Sequence, residues 1–271
     1  MIARQLLAAA FLFISTAFAD DEIRVFDIPT IEKLGRAIHR QDQYAANATD
    51  FVFAELGGKA KFAEQNIRGY IVVGEEPNVI VRFVKAGADE RIFPAYDVKF
   101  VKGPKAGTVS AAKESELSDE ELAIWNARQL ALRSMPRACS KNYNSVVLPD
   151  PDGEGLLVYM LAATDKPNLI PIGGHYRFTM AGDGTTIEKR DELFKSCLTF
   201  DTRSKDLPRG QELAAYYATN VVSDTPIEIH VFLNLSYGKP FYVGARDVSH
   251  WKIEKGSVSR SEKPSAARKS P

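Results

Sequence analysis

Apolar residues recur at three- and four-residue spacing from Pro29-Thr30 onward: Ile31, Leu34, Ile38, Ala45, Ala48 and Val52, with Tyr44, Phe51 and Leu56 beside the stripe. That spacing predicts an amphipathic helix, and Gly57-Gly58 supplies its C-terminal stop. The rhythm then changes. Residues 69–73, 79–84 and 91–100 are rich in β-branched and aromatic side chains and are separated by turn-forming stretches at 74–78 and 87–89, so they predict antiparallel strands. Residues 102–117 are poor in apolar side chains and carry Gly103, Pro104 and Gly107, the composition of a linker or a long exposed loop. A second helix is predicted from Ser118 through Trp125 and Leu132 to a stop before Pro136. Ser118 and Glu121 form its capping box, in which each side chain satisfies a backbone N–H of the other.

Strands are predicted again at 143–148, 156–163, 170–180 and 185–192. The second of these is apolar on both faces and therefore central, and Gly182-Asp183-Gly184 joins the last two as a hairpin. A short helix over 211–217 precedes 227–235. There Ile227, Ile229, Val231, Leu233 and Leu235 alternate with Glu228, His230, Phe232 and Asn234, which predicts a half-buried strand. Residues 240–244 and 250–254 complete a C-terminal hairpin segment. From Gly256 the chain turns to Ser, Lys and Arg, and a disordered tail is expected over 256–271.

Helix followed by strands thus occurs twice, and the expected class is α+β. The expected organisation is a first helix-plus-antiparallel-sheet module over 20–103, a linker over 104–117, and a second such module with the C-terminal strands over 118–255. In element order, a helix lying on an antiparallel sheet resembles the general plan of cystatin-like or PepSY-like domains.

The first nineteen residues stand outside this pattern. Arg4 precedes an apolar stretch from Leu6 to Ile14, and Ala17-Phe18-Ala19 follows. This is the form of a secretory signal peptide cleaved after Ala19. The stretch is too short to span a bilayer core, which needs about 20 apolar residues, and no later segment reaches that length, so no transmembrane anchor is expected after cleavage. In an exported chain Cys139 and Cys197, the only two cysteines, are expected to form a disulfide. The 35 Lys+Arg balance 35 Asp+Glu, which removes the electrostatic argument for a nucleic-acid partner.

Catalytic signatures are sparse. The chain lacks G-x-S-x-G, H-E-x-x-H, a P-loop and G-x-G-x-x-G, and no cofactor is expected. Ser110-Ala-Ala-Lys113 matches S-x-x-K but falls in the linker-like stretch, with no K-T-G after it. Asp150, Asp152 and Glu154 resemble the opening of a calcium loop, but Leu161 occupies the position where a bidentate Glu is required. His175 and Arg177 would share one face of a strand, and Glu228 would share a face with His230 and could orient its imidazole as a general base. The stretch from Tyr237 to Tyr242, with Arg246 and Trp251, interleaves aromatic and basic groups and suits stacking on sugars as well as core packing. The leading expectation is a soluble envelope protein, periplasmic or secreted, that binds a protein or glycan without catalysis. The alternative is a hydrolase or metal-dependent enzyme using His175 and His230.

Overall fold

The computed structural model describes residues 22–203 and 213–262; the expected leader lies outside them. Helix α1 (Ile28–Glu55) begins where Asp27 accepts the Thr30 N–H at 2.9 Å, with Pro29 in its first turn. One helix serves two cores. Ile31, Leu34 and Ile38 enter the larger core, while Tyr44, Ala48 and Val52 pack on the first sheet. The short α2 (Lys59–Ala63) leads into that sheet, formed by β1 (Ile67–Val73), β2 (Val79–Ala86), β3 (Ile92–Phe100) and β4 (Gly107–Ala111) in sequential antiparallel order. β4 lies inside the stretch expected as linker. Of its side chains only Val109 packs against the core, so this edge strand offers too little apolar alternation to be read from sequence.

Helix α3 (Asp119–Arg133) starts at the capping box formed by Ser118 and Glu121. Trp125 and Ile124 pack on Ile71 and Val84 of the first sheet, whereas Ala127 and Ala131 face a second sheet. That sheet contains β5 (Asn142–Pro149), β6 (Leu156–Ala163), β8 (Tyr176–Met180) and β9 (Ile187–Glu192), all antiparallel in the order β5-β6-β8-β9. β6 is central and buried on both sides, as its double-faced apolar run predicts. Val158 and Met160 meet α3, and Leu157, Tyr159 and Leu161 meet the larger core. The short β7 (Leu169–Pro171) pairs with β10 (Thr199–Asp201). Cys139 and Cys197 are bonded to each other, 58 positions apart. The bond ties the end of this module to its beginning and constrains the unfolded chain by about 4 kcal/mol.

A third sheet holds β11 (Tyr216–Thr219), β12 (Phe241–Gly244), β13 (His250–Glu254) and β14 (Ser257–Ser261). β11 and β12 run parallel, joined through α4 (Glu228–Tyr237). Three expectations are corrected here. Residues 227–235 form a helix, not a strand. Residues from Glu228 to Asn234 are all buried, polar ones included, and a helix buried on every side shows no helical period to read; Gly238 closes it in a left-handed cap. The expected helix over 211–217 is replaced at Tyr216 and Tyr217 by the start of β11, while residues 211–212 lie outside the described residues. The tail is ordered at its start, because β14 pairs with β13 along its whole length.

Val258 packs on the larger core and its N–H donates to Glu32 Oε1 at 2.6 Å. A chain ending after Gly256 should therefore lose at least about 2 kcal/mol of stability relative to one ending after Glu262, from lost ladder bonds and apolar burial. Thermal melts of the two truncations check this; coincident curves would show β14 to be dispensable.

Candidate functional site

β8 alternates its side chains between two cores. Tyr176, Phe178 and Met180 face α3, and Arg177 and the preceding His175 face the other way, as their spacing predicts. The Arg177 guanidinium is fully buried. Its Nε and Nη2 donate to Asp191 Oδ2 at 3.0 and 2.6 Å, and its Nη1 donates to Glu228 Oε1 at 2.5 Å. Asp191 stands directly opposite Arg177 on β9, and Glu228 is brought in by the first turn of α4. Tyr159 on β6 donates its hydroxyl to the same Glu228 oxygen at 3.0 Å. Burial, reinforced by the Glu228 charge, drives the Tyr159 pKa well above its ordinary value. Burial opposes the charge on Arg177, but Glu228, Tyr159 and Asp191 outweigh it and the guanidinium is held protonated.

Arg177 Nη2 also donates to the carbonyl oxygen of Arg24. This fastens the segment before α1 to the core. Arg24 donates through both Nη groups to Asp150, at 2.6 and 2.7 Å, and to Asp152 at 2.8 Å. The hydrogen bonds from Arg24 hold the Asp150 carboxyl below the usual carboxylate range. Phe26 lies against both guanidiniums, 4.7 Å from Arg24 and 4.8 Å from Arg177, measured to its ring centre. Asp150 and Asp152, considered above as cation ligands, thus hold an arginine, while Glu154 is exposed on the turn. Among the described residues, no group of three or more His, Cys, Asp or Glu is arranged to hold a metal ion.

The two histidines flank one ring. His175 and His230 lie 5.6 and 5.5 Å from the Phe194 ring centre, and both are buried. His175 accepts the Ala162 N–H at Nδ1 and holds the Pro171 carbonyl through Nε2. Both ring nitrogens are thereby occupied in the neutral tautomer. His230 accepts the Ile227 N–H at Nδ1, 3.0 Å away, and its Nε2 is buried without a partner. Burial pushes the His175 pKa down to about 4 and that of His230 to about 3, the latter helped by the neighbouring His175. Glu228 is engaged by Arg177 and Tyr159, so it does not orient His230. In this arrangement the four candidates form a closed interior. Ser110 lies on β4 and is exposed.

Accessible aromatic and polar groups line the outward side of the third sheet. Its inner side buries Phe241, Val243 and Ile253 in the larger core, next to α4. On the opposite side, strand register aligns Tyr217, Tyr242, Lys252 and Ser259 in one row and Thr219, Gly244, His250 and Ser261 in the next. Tyr217 is 46% exposed and lies 6.3 Å from His250 between ring centres. A Cβ at Gly244 would collide with the Tyr217 hydroxyl, so glycine there lets the tyrosine lie across the sheet. Lys252 pairs with Glu254 at 2.7 Å on this face, beside the rings and hydroxyls. No family model, curated protein or solved structure matches this chain significantly.

Proposed function

We propose that this chain is an exported, non-catalytic binding protein, and that its ligand is a glycan held on the outward face of the third sheet. The observation that carries this reading is the row of Tyr217 and Tyr242 beside Thr219, His250, Ser259 and Ser261. Two amphipathic rings supply stacking area at small entropic cost, and flanking hydroxyls and an imidazole match sugar hydroxyls. The closed network around Arg177 supports the non-catalytic part, since its polar atoms are spent on one another. The Cys139–Cys197 disulfide and the absence of any described helix long and apolar enough to cross a membrane fit a chain that works after export.

Binding to immobilised envelope glycans, compared between the mature protein and Tyr217→Ala and Tyr242→Ala variants, tests the proposal. Each ring removed should weaken binding about fivefold, corresponding to about 1 kcal/mol of stacking, with the fold unchanged by circular dichroism. Equal binding by all three proteins would sink the platform. Retention of a protein instead of a glycan, lost in the same variants, would replace the ligand class.

A further inference from the structure

The two halves of the Cys139–Cys197 bond are held unequally. Cys139 is half-buried, and its N–H donates to the Tyr143 hydroxyl at 2.9 Å, which in turn donates to the Gly174 carbonyl at 3.1 Å. A Cβ at Gly174 would overlap the Cys139 side chain, and one at Gly173 would overlap the Ser196 carbonyl. This glycine pair therefore seats both ends of the bridge. Cys197, by contrast, belongs to a run in which every residue from Lys195 to Thr199 is exposed. The run meets β7 through the Leu198 carbonyl, which accepts from the Ile172 and Gly173 N–H groups, and through the three residue pairs of β7 and β10.

Beside the bridge lies a crevice with a cavity volume of about 280 Å³ and Cys139 in its wall. That is close to the lower end of ordinary small-molecule sites. Three charged side chains line it, Lys141, Asp165 and Lys166, and among the described residues neither lysine forms an ion pair. Two cations against one anion favour an anionic visitor.

Thiolates open disulfides by attacking one sulfur and expelling the other, and exposed disulfides exchange more readily than enclosed ones. We propose that Cys139–Cys197 is an exchangeable bond, and that the crevice beside it admits a low-molecular-weight thiol bearing carboxylates, of the cysteinyl-peptide class. The thiol gives its proton to solvent, and its sulfur attacks Cys139 Sγ from the crevice. The S–S bond breaks, and its electron pair leaves on Cys197 as a thiolate that takes up a proton. A mixed disulfide stays on the anchored Cys139. A second thiolate attacks the small-molecule sulfur of that mixed disulfide and releases Cys139. Two thiols are thereby oxidised to one disulfide, and the protein gains two electrons and two protons. The proposal is independent of the glycan platform, which lies on the third sheet.

The test exposes the folded, oxidised protein to glutathione and to cysteamine, an anionic and a cationic thiol, at equal thiolate concentration. Acid quenching and peptide mapping by mass spectrometry then locate the mixed disulfide. Each rate is divided by that of the same thiol on the urea-unfolded protein, which removes intrinsic reactivity. Glutathione should lead by about tenfold at low salt, about threefold for each lysine, with the adduct on Cys139. Replacing both lysines, Lys141→Gln with Lys166→Gln, should remove most of that lead, and so should salt at about 0.5 M. The Cys197→Ser variant presents Cys139 as a thiol and cannot reclose. It should react with oxidised glutathione faster than with cystamine by the same ratio. No adduct on either folded protein, equal normalised rates for the two thiols, or a wild-type adduct on Cys197 overturns the proposal.

Discussion

Replacing Arg177 by Met should lower stability by about 3–5 kcal/mol and the melting midpoint by about 6–20 °C. The cause is what the substitution leaves behind. Asp191 and Glu228 are 2% and 1% exposed and would lose the cation that holds them both. Asp191 would keep the Arg24 N–H at 3.4 Å and a distant Lys189, and among the described residues Glu228 would keep the Tyr159 hydroxyl alone. Buried charge left unpaired is far costlier than a buried pair is stabilising. A triple replacement, Arg177→Met with Asp191→Leu and Glu228→Leu, should therefore recover much of the loss, because no charge is stranded. Urea titrations of the wild type and both variants, read for midpoint and slope, check the pattern. A single-variant loss below about 1 kcal/mol would mean that water reaches the carboxylates.

Acid should weaken the fold well before the carboxylates titrate. In the folded chain His175 and His230 stay neutral, with pKa values pushed down to about 4 and about 3. In the unfolded chain both take up a proton near pH 6.5. The unfolded state then binds more protons, so the stabilising contribution is complete above about pH 6.5 and declines as pH falls toward the folded values. Each histidine contributes a slope of up to about 1.4 kcal/mol per pH unit in that window, or about 4 kcal/mol for the pair between pH 7 and pH 5. His39, whose pKa burial also lowers, acts in the same direction. Replacing His230 by Phe keeps an aromatic ring between Phe194 and Phe241 and should remove about half of the slope, whatever it does to stability at pH 7. Urea unfolding at pH 7, 6 and 5 measures this. A flat profile above pH 5 in the wild type would show that the imidazoles are hydrated.

How legible each part was depends on how many faces it buries. α1 and β1 to β3 have one face or stripe richer in buried residues than the other, and their periods show. β6 was readable because a short unbroken apolar run, Leu156 to Ala163, bounded by turn residues signals a strand buried on both faces. α4 was not, since Ile229 to Asn234 are buried on every side and an alternating sequence fits a helix equally well when no side must be polar. β4 and β14 escaped for the opposite reason. Each brings one apolar residue to a core, Val109 and Val258, and one residue has no period. At the closed site, the shared face of His175 and Arg177 follows from spacing alone. The Asp191 partner was not within reach, because the register shift between Thr179 and Met180 moves the strand beyond the Gly182-Asp183-Gly184 turn so that Asp191 stands across from Arg177. Arg24 was not, because its segment has no periodicity and its partners are 126 and 153 positions away.

That last separation bears on the order in which the chain can complete itself. Ile23, Arg24 and Phe26 leave a ribosome or a translocation channel among the first of the described residues, yet Arg177 and Glu228 emerge far later. Until β8 arrives, Phe26 has one guanidinium to rest on, that of Arg24, and until α4 arrives Arg177 lacks Glu228. Long-range closure of this kind is slow relative to the local hairpins β1–β2 and β5–β6. The growing chain must therefore carry an apolar, unseated leading end through most of its synthesis, and any segment that lingers there, from this chain or another, competes with the native one for the same arginine.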